Sequence, residues 1–137
     1  MWYNVVSILE ISILKIRKGV VLVKIAVIGS RSLQVKNFED YIPKECEEIV
    51  SGGATGVDSC VEDFAREHSI KLTLFLPMYE KYGRAAPIVR NKQIVEYADL
   101  VIAFWDGISK GTLSVIKYCE KIGKPCKIVR MEKLCDG

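Results

Sequence analysis

Short apolar runs of strand character, each followed by a helical pattern, constrain this chain more than anything else in its sequence. The first, VLVKIAVIG over residues 21–29, is almost continuous in β-branched side chains. That is the pattern of a strand buried on both faces, and hence of a parallel sheet covered by helices. Residues 48–51 form a second, shorter run leading into Gly52 and Gly53. Residues 71–76 form a third, stopped by Pro77, residues 100–104 a fourth and residues 127–130 a fifth.

Between these runs the period changes. Val57, Cys60, Val61, Phe64, Ala65 and His68 follow helical spacing, with Asp58, Glu62, Asp63, Arg66 and Glu67 on the other side. His68 is expected to complete that apolar stripe by packing. A helix is expected over residues 88–98. Another over residues 111–122 buries Leu113, Ile116, Cys119 and Ile122 and stops at Gly123. Asn37 is placed to cap a short helix carrying Phe38, Tyr41 and Ile42, which Pro43 ends. Strands and helices alternating at this spacing require right-handed crossovers. They predict a single α/β, Rossmann-like three-layer domain with a five-stranded, mainly parallel sheet.

A length of 137 residues suits one domain, and an apolar half suffices for its core. The domain is assigned to residues 21–137, with residues 1–20 as an N-terminal extension. That extension reads either as an element packed on the domain or as a tail from an upstream start. Glu10, Lys15, Arg17 and Lys18 interrupt any membrane-spanning run, and signal-peptide features are missing from it. The net charge of +3 provides no basic arm that would bind nucleic acid by charge alone. Cys46, Cys60, Cys119, Cys126 and Cys135 contain no C-x-x-C pair, and His68 is the sole histidine. No metal site is therefore expected. The cysteines read as small buried hydrophobes in a reducing, cytoplasmic setting.

In an open parallel sheet, the loops leaving the carboxyl ends of the strands share one edge, where ligands bind. Three such loops are glycine-rich: GSRS at residues 29–32, SGGATG at residues 51–56 and DGISKGT at residues 106–112. The last two run into helix starts, whose free N–H groups attract anions, and glycine lets a phosphate approach the backbone. The candidate ligand-binding residues are Gly29, Ser30, Arg31, Gly52, Gly53, Ala54, Thr55, Gly56, Asp58, Arg90, Asn91, Asp106, Gly107, Ser109, Lys110, Gly111 and Thr112. Arg31, Arg84, Arg90 and Lys110 add positive charge. Asp58 either complements its helix dipole or accepts a ribose hydroxyl. Ser109 reads first as a helix cap and second as a phosphate contact. Trp105 either stacks a base or packs in the core. Tyr79 and Tyr82 are loop aromatics able to close over a ligand.

The segments VSGGATGVD (residues 50–58), RNKQIVEYADLVIAFWDG (residues 90–107) and SKGT (residues 109–112) resemble the SLOG superfamily, nearest its YspA-like, YpsA-related branch. That branch shares the small-residue and proline run before the pair Arg90-Asn91. The resemblance covers residues 24–129 and implies a Rossmann-like sheet with a pocket for nucleotides or their derivatives. A homodimer also fits the family. Its Lonely Guy members cleave the N-glycosidic bond of nucleoside monophosphates with an arginine, matched in position by Arg90, and with the glutamate of G-T-x-x-E. Here Gly111-Thr112-Leu113-Ser114 is followed by Val115. Valine supplies neither the charge nor the proton that a departing base requires. Asp58 and Asp106 are the alternative carboxylates, and the sequence favours neither. Arg90 is thus the one catalytic candidate.

The expected function is binding or sensing of a nucleotide, nucleotide-sugar or ADP-ribose-like ligand, with no cofactor identified. The alternatives are a nucleoside-monophosphate N-glycosidase and, through the related protein DprA, single-stranded DNA binding. The last is disfavoured by the small excess of positive charge.

Overall fold

The computed structural model describes residues 23–132, so the expectation for residues 1–20 lies outside the described residues, as does Cys135. The strands are β1 (Val23–Gly29), β2 (Cys46–Ser51), β3 (Lys71–Leu74), β4 (Leu100–Trp105) and β5 (Cys126–Arg130). The helices are α1 (Val57–Glu67), α2 (Tyr79–Tyr82), α3 (Ala86–Tyr97) and α4 (Lys110–Ile122). The sheet order is β3-β2-β1-β4-β5, and every neighbouring pair is parallel.

Alternation along the strands builds two cores. Ile25 and Val27 of β1, Ile49 of β2, and Leu100, Ile102 and Phe104 of β4 face Val57, Val61, Phe64 and Ala65 of α1. Leu33, Val35, Phe38 and Ile42, from the β1–β2 connection, fill the rest of that layer. On the opposite face Ala26, Ile28, Val50, Val101, Ala103 and Trp105 meet Ile94 and Val95 of α3 and Val115, Ile116 and Cys119 of α4. The two central strands are therefore covered on both sides, as their unbroken apolar runs require. Phe104 anchors the first core through edge-on contacts with Phe38 and Tyr41, at centroid distances of 5.5 and 5.2 Å.

Element ends depart from the sequence expectation for local reasons. β3 stops at Leu74 because its only neighbour, β2, ends at the paired Ser51, so residues 75 and 76 have no ladder to join. α3 begins earlier, at Ala86, because Pro87 fits a first-turn position where a missing N–H costs nothing. Asn37 does not cap a helix. Its amide donates to Asp40 Oδ2 at 2.9 Å, and the turn it precedes is a single 3₁₀ turn over Phe38–Asp40. His68 is exposed rather than packed inside, its ring stacked on Phe64 at 4.1 Å. Cys46, Cys60, Cys119 and Cys126 are free thiols, and Cys119 and Cys126 are both buried in the second core.

One buried carboxylate lies near the amino ends of the strands. Glu48 accepts hydrogen bonds from Tyr97 (2.6 Å) and Thr73 (2.7 Å) and pairs with Lys71 at 3.4 Å. Burial raises its pKa, but these partners outweigh burial and leave the carboxyl below its usual range.

Replacing Phe104 with alanine removes a fully buried ring from two aromatic neighbours. Chemical denaturation should register a loss of about 3–5 kcal/mol.

Candidate ligand-binding site

β1 and β4 lie side by side, but the chain leaves them toward opposite faces: from β1 toward the α1 layer, from β4 into α4. Divergence at this point opens a crevice at the carboxyl edge of the sheet. It holds a cavity of about 410 Å³.

Most of the sequence-predicted residues meet there. Gly29, Ser30 and Arg31 come from the β1 exit, Gly52, Ala54 and Asp58 from the β2 exit and the start of α1. Arg90 and Asn91 come from α3, and Ser109, Lys110, Gly111 and Thr112 from the start of α4. Gly53, Thr55, Gly56, Asp106 and Gly107 are not part of the lining, nor is Arg84. The lining also includes Ser32 and an apolar floor of Ile28, Pro87, Ile94 and Val115, none of them among the sequence candidates. Helical spacing carried a signal for two of these. Ile94 follows Arg90 by four residues and Val115 follows Gly111 by four, so each shares a helix face with a candidate.

The glycines divide into two groups. A Cβ on Gly29 would meet the Val57 side chain and, at 2.8 Å, the Phe104 carbonyl, so this glycine exists to let α1 close on β1. Gly56 has φ +73° and abuts the Arg31 carbonyl, which locks the second loop onto the first. Gly111 differs: nothing lies within 4 Å of a Cβ built there. Of these three, it is the one whose missing side chain leaves open space.

Charged side chains hold the loops together. Arg90 Nη1 donates to the Gly52 carbonyl at 2.7 Å and to the Phe75 carbonyl at 3.4 Å, while Nε donates to Asn91 Oδ1 at 2.8 Å. Burial lowers its pKa and Asp58 opposes that shift, yet a guanidinium remains charged. Asp58 Oδ2 accepts the Ala54 N–H at 3.1 Å. Burial pushes its carboxyl up, against the Ala54 hydrogen bond and the Arg90 charge.

Asp106 plays another part. Its carboxylate accepts the N–H groups of Ser109 (2.7 Å) and Ile108 (2.8 Å) and the hydroxyls of Ser109 and Ser32, both at 3.2 Å. Its own N–H donates to Ser30 Oγ at 3.3 Å. The Ser109 N–H above all holds this acid down to about 2. Asp106 is thus a knot between the β1 and β4 loops. Ser109 forms no side-chain cap on α4, because its hydroxyl is engaged by Asp106. Of the two readings of Trp105, packing holds: the ring is buried in the second core and its Nε1 donates to the Ser109 carbonyl at 3.1 Å.

The start of α4 remains open to a ligand. The first N–H to find a helical partner here is that of Leu113, on the Ser109 carbonyl at 3.2 Å. Thr112 is only 6% exposed and lines the cavity. Arg31 and Lys110 are exposed at the mouth. Together these present backbone donors, a hydroxyl and two mobile cations above an apolar floor, a combination suited to an anionic group joined to a less polar body. No group of three His, Cys, Asp or Glu side chains among the described residues is arranged to hold a metal. None of their helices is long and apolar enough to cross a membrane.

No family model, no curated protein and no solved structure matches this chain.

The two aspartates should respond oppositely to pH. Folding raises the Asp58 pKa, so its contribution is complete below the unfolded value of 3.8 and is lost as pH rises through the folded value. Asp58→Asn should therefore raise the melting temperature at pH 7, with a gain that disappears below pH 4 in a series of thermal melts. Folding lowers the Asp106 pKa, so its contribution is present above 3.8 and is lost as pH falls toward about 2. Asp106→Ala should cost about 1 kcal/mol at pH 7, and the deficit should shrink in melts at pH 2.

Proposed function

We propose that this chain binds, as a sensor or carrier, a nucleotide or nucleotide-derived ligand such as a nucleotide sugar or an ADP-ribose-like molecule. The phosphate would lie at the start of α4. The observation that carries this reading is the cavity of about 410 Å³ lined by Lys110, Gly111 and Thr112 at the first turn of α4, whose N–H groups precede the first helical hydrogen bond at Leu113. Its volume falls within the range of small-ligand sites. The resemblance of residues 50–58, 90–107 and 109–112 to the SLOG superfamily points the same way and is part of the proposal.

Val115 argues for binding rather than turnover. It is 3% exposed, packed between the floor and the second core, and stands where the Lonely Guy pattern has its glutamate. A second reading, hydrolysis of a nucleoside monophosphate to free base and ribose 5-phosphate, is favoured by one observation. Asp58 is the carboxylate lining the cavity, and burial favours its protonated form, whereas Asp106 is engaged in its own loop. On this reading Asp58 delivers the proton to the departing base and Arg90 steadies the phosphoribosyl charge. Release of base that Asp58→Asn abolishes would establish it, and no release from the wild-type chain would remove it.

Calorimetry against AMP, ADP-ribose, a nucleotide sugar and inorganic phosphate tests the binding reading. At least one organic ligand should bind in the micromolar range. A folded chain that binds none more tightly than millimolar overturns the proposal. Gly111→Ala separates site from scaffold: the helix gains up to about 1 kcal/mol of stability, while the added methyl in the cavity should weaken binding at least tenfold.

A further inference from the structure

Beyond β3 the chain presents apolar side chains to solvent rather than to either core. Leu76 is 59% exposed, Met78 52% and Tyr79 60%. Their position is set by the loop that walls the cavity. The Phe75 N–H still bonds to the Ser51 carbonyl at 2.9 Å, after which the chain leaves the sheet and lays Leu76 against Gly53, 2.7 Å from where a Cβ would stand. Arg90, a cavity wall residue, donates to both the Gly52 and the Phe75 carbonyls. Tyr79 lies within electrostatic reach of the same guanidinium. A shallow hollow of about 530 Å³ runs along this segment.

We propose that Leu76, Met78 and Tyr79 form the subsite for the flat aromatic end of the ligand, a nucleobase, while its phosphate occupies the start of α4. This rests on the nucleotide reading of the cavity. The deep apolar floor cannot serve as the platform: Ile28, Ile94 and Val115 are at most 7% exposed and already committed to the core. The outer segment has what the floor lacks, uncovered apolar area next to an aromatic ring and an adaptable methionine. Arg90, which lines the cavity and donates to the Phe75 carbonyl at the root of the outer segment, links the two subsites. Stacking of one base on an aromatic side chain corresponds to roughly tenfold or more in affinity.

The test uses the full chain with AMP and ribose 5-phosphate as ligands in parallel titrations. AMP should bind at least tenfold more tightly than ribose 5-phosphate. Tyr79→Ala should erase most of that difference without affecting ribose 5-phosphate, and Tyr79→Phe should preserve it. Tyr79 is exposed, so melting curves of the variants should match the wild type. Equal binding of AMP and ribose 5-phosphate, or an unchanged preference in Tyr79→Ala, overturns the subsite and leaves the cavity reading intact. If neither compound binds the folded chain, the subsite is overturned, and the cavity reading stands or falls on the ADP-ribose and nucleotide-sugar titrations. Sedimentation provides the remaining outcome: a dimer that Tyr79→Ala dissociates, with the AMP preference unaltered, would make this a self-association surface and overturn the proposal.

Discussion

Two neighbouring parallel strands whose chains depart toward opposite faces cannot have both exits closed by the same connection. β1 and β4 are such a pair, and the crevice between their exits follows from strand order rather than from any single side chain. The loops around the crevice would splay if left to water. Two ionic side chains prevent this by binding backbone. Arg90 joins the β2 exit to the β3 exit, and Asp106 joins the β4 exit to the β1 loop through Ser30 and Ser32. Each charge is largely committed to the scaffold, so the cations most available to a ligand are the exposed Arg31 and Lys110.

The two ends of the sheet are chemically unlike. Near the amino ends, the buried Glu48 carboxylate is satisfied by Tyr97, Thr73 and Lys71, and nothing about it invites a ligand. At the carboxyl end, Thr112 is equally withdrawn from solvent and lines the cavity, and Asp58 is held in a setting that disfavours its charge. Buried polar groups normally find partners. Among the described residues they do so at both edges, and only the carboxyl edge gathers them around an open cavity.

Much of this was legible in the residues. The continuous run of β1 and β4 announced a covered parallel sheet, and the stripe of α1 announced its helix. The glycine-rich segments identified the edge, because topology alone sends those loops there. What escaped was set by contacts between distant segments. Ile28, Ile94 and Val115 did not stand out as binding residues because they are core, with one side left toward the cavity. Asp106 read as a ligand contact because its commitment to Ser32 spans 74 positions along the chain. Ser109 looked like a cap, but the nearby carboxylate of Asp106 engages its hydroxyl more locally than the helix can. The end of β3 depended on where its partner stopped. Residues 1–20 and Cys135 lie outside the described residues.

The contact of Gly56 with the Arg31 carbonyl, and of Gly29 with Val57 and Phe104, has a consequence for how such a sequence can drift. Substitutions at these glycines force packed backbone and side chains apart, so they register first as folding defects. Gly111, Lys110 and the exposed side chains of residues 76–79 carry no comparable debt to the core. Tolerance of substitution is therefore concentrated at one helix start and one outer loop, while the interlocked turns between them are fixed by packing.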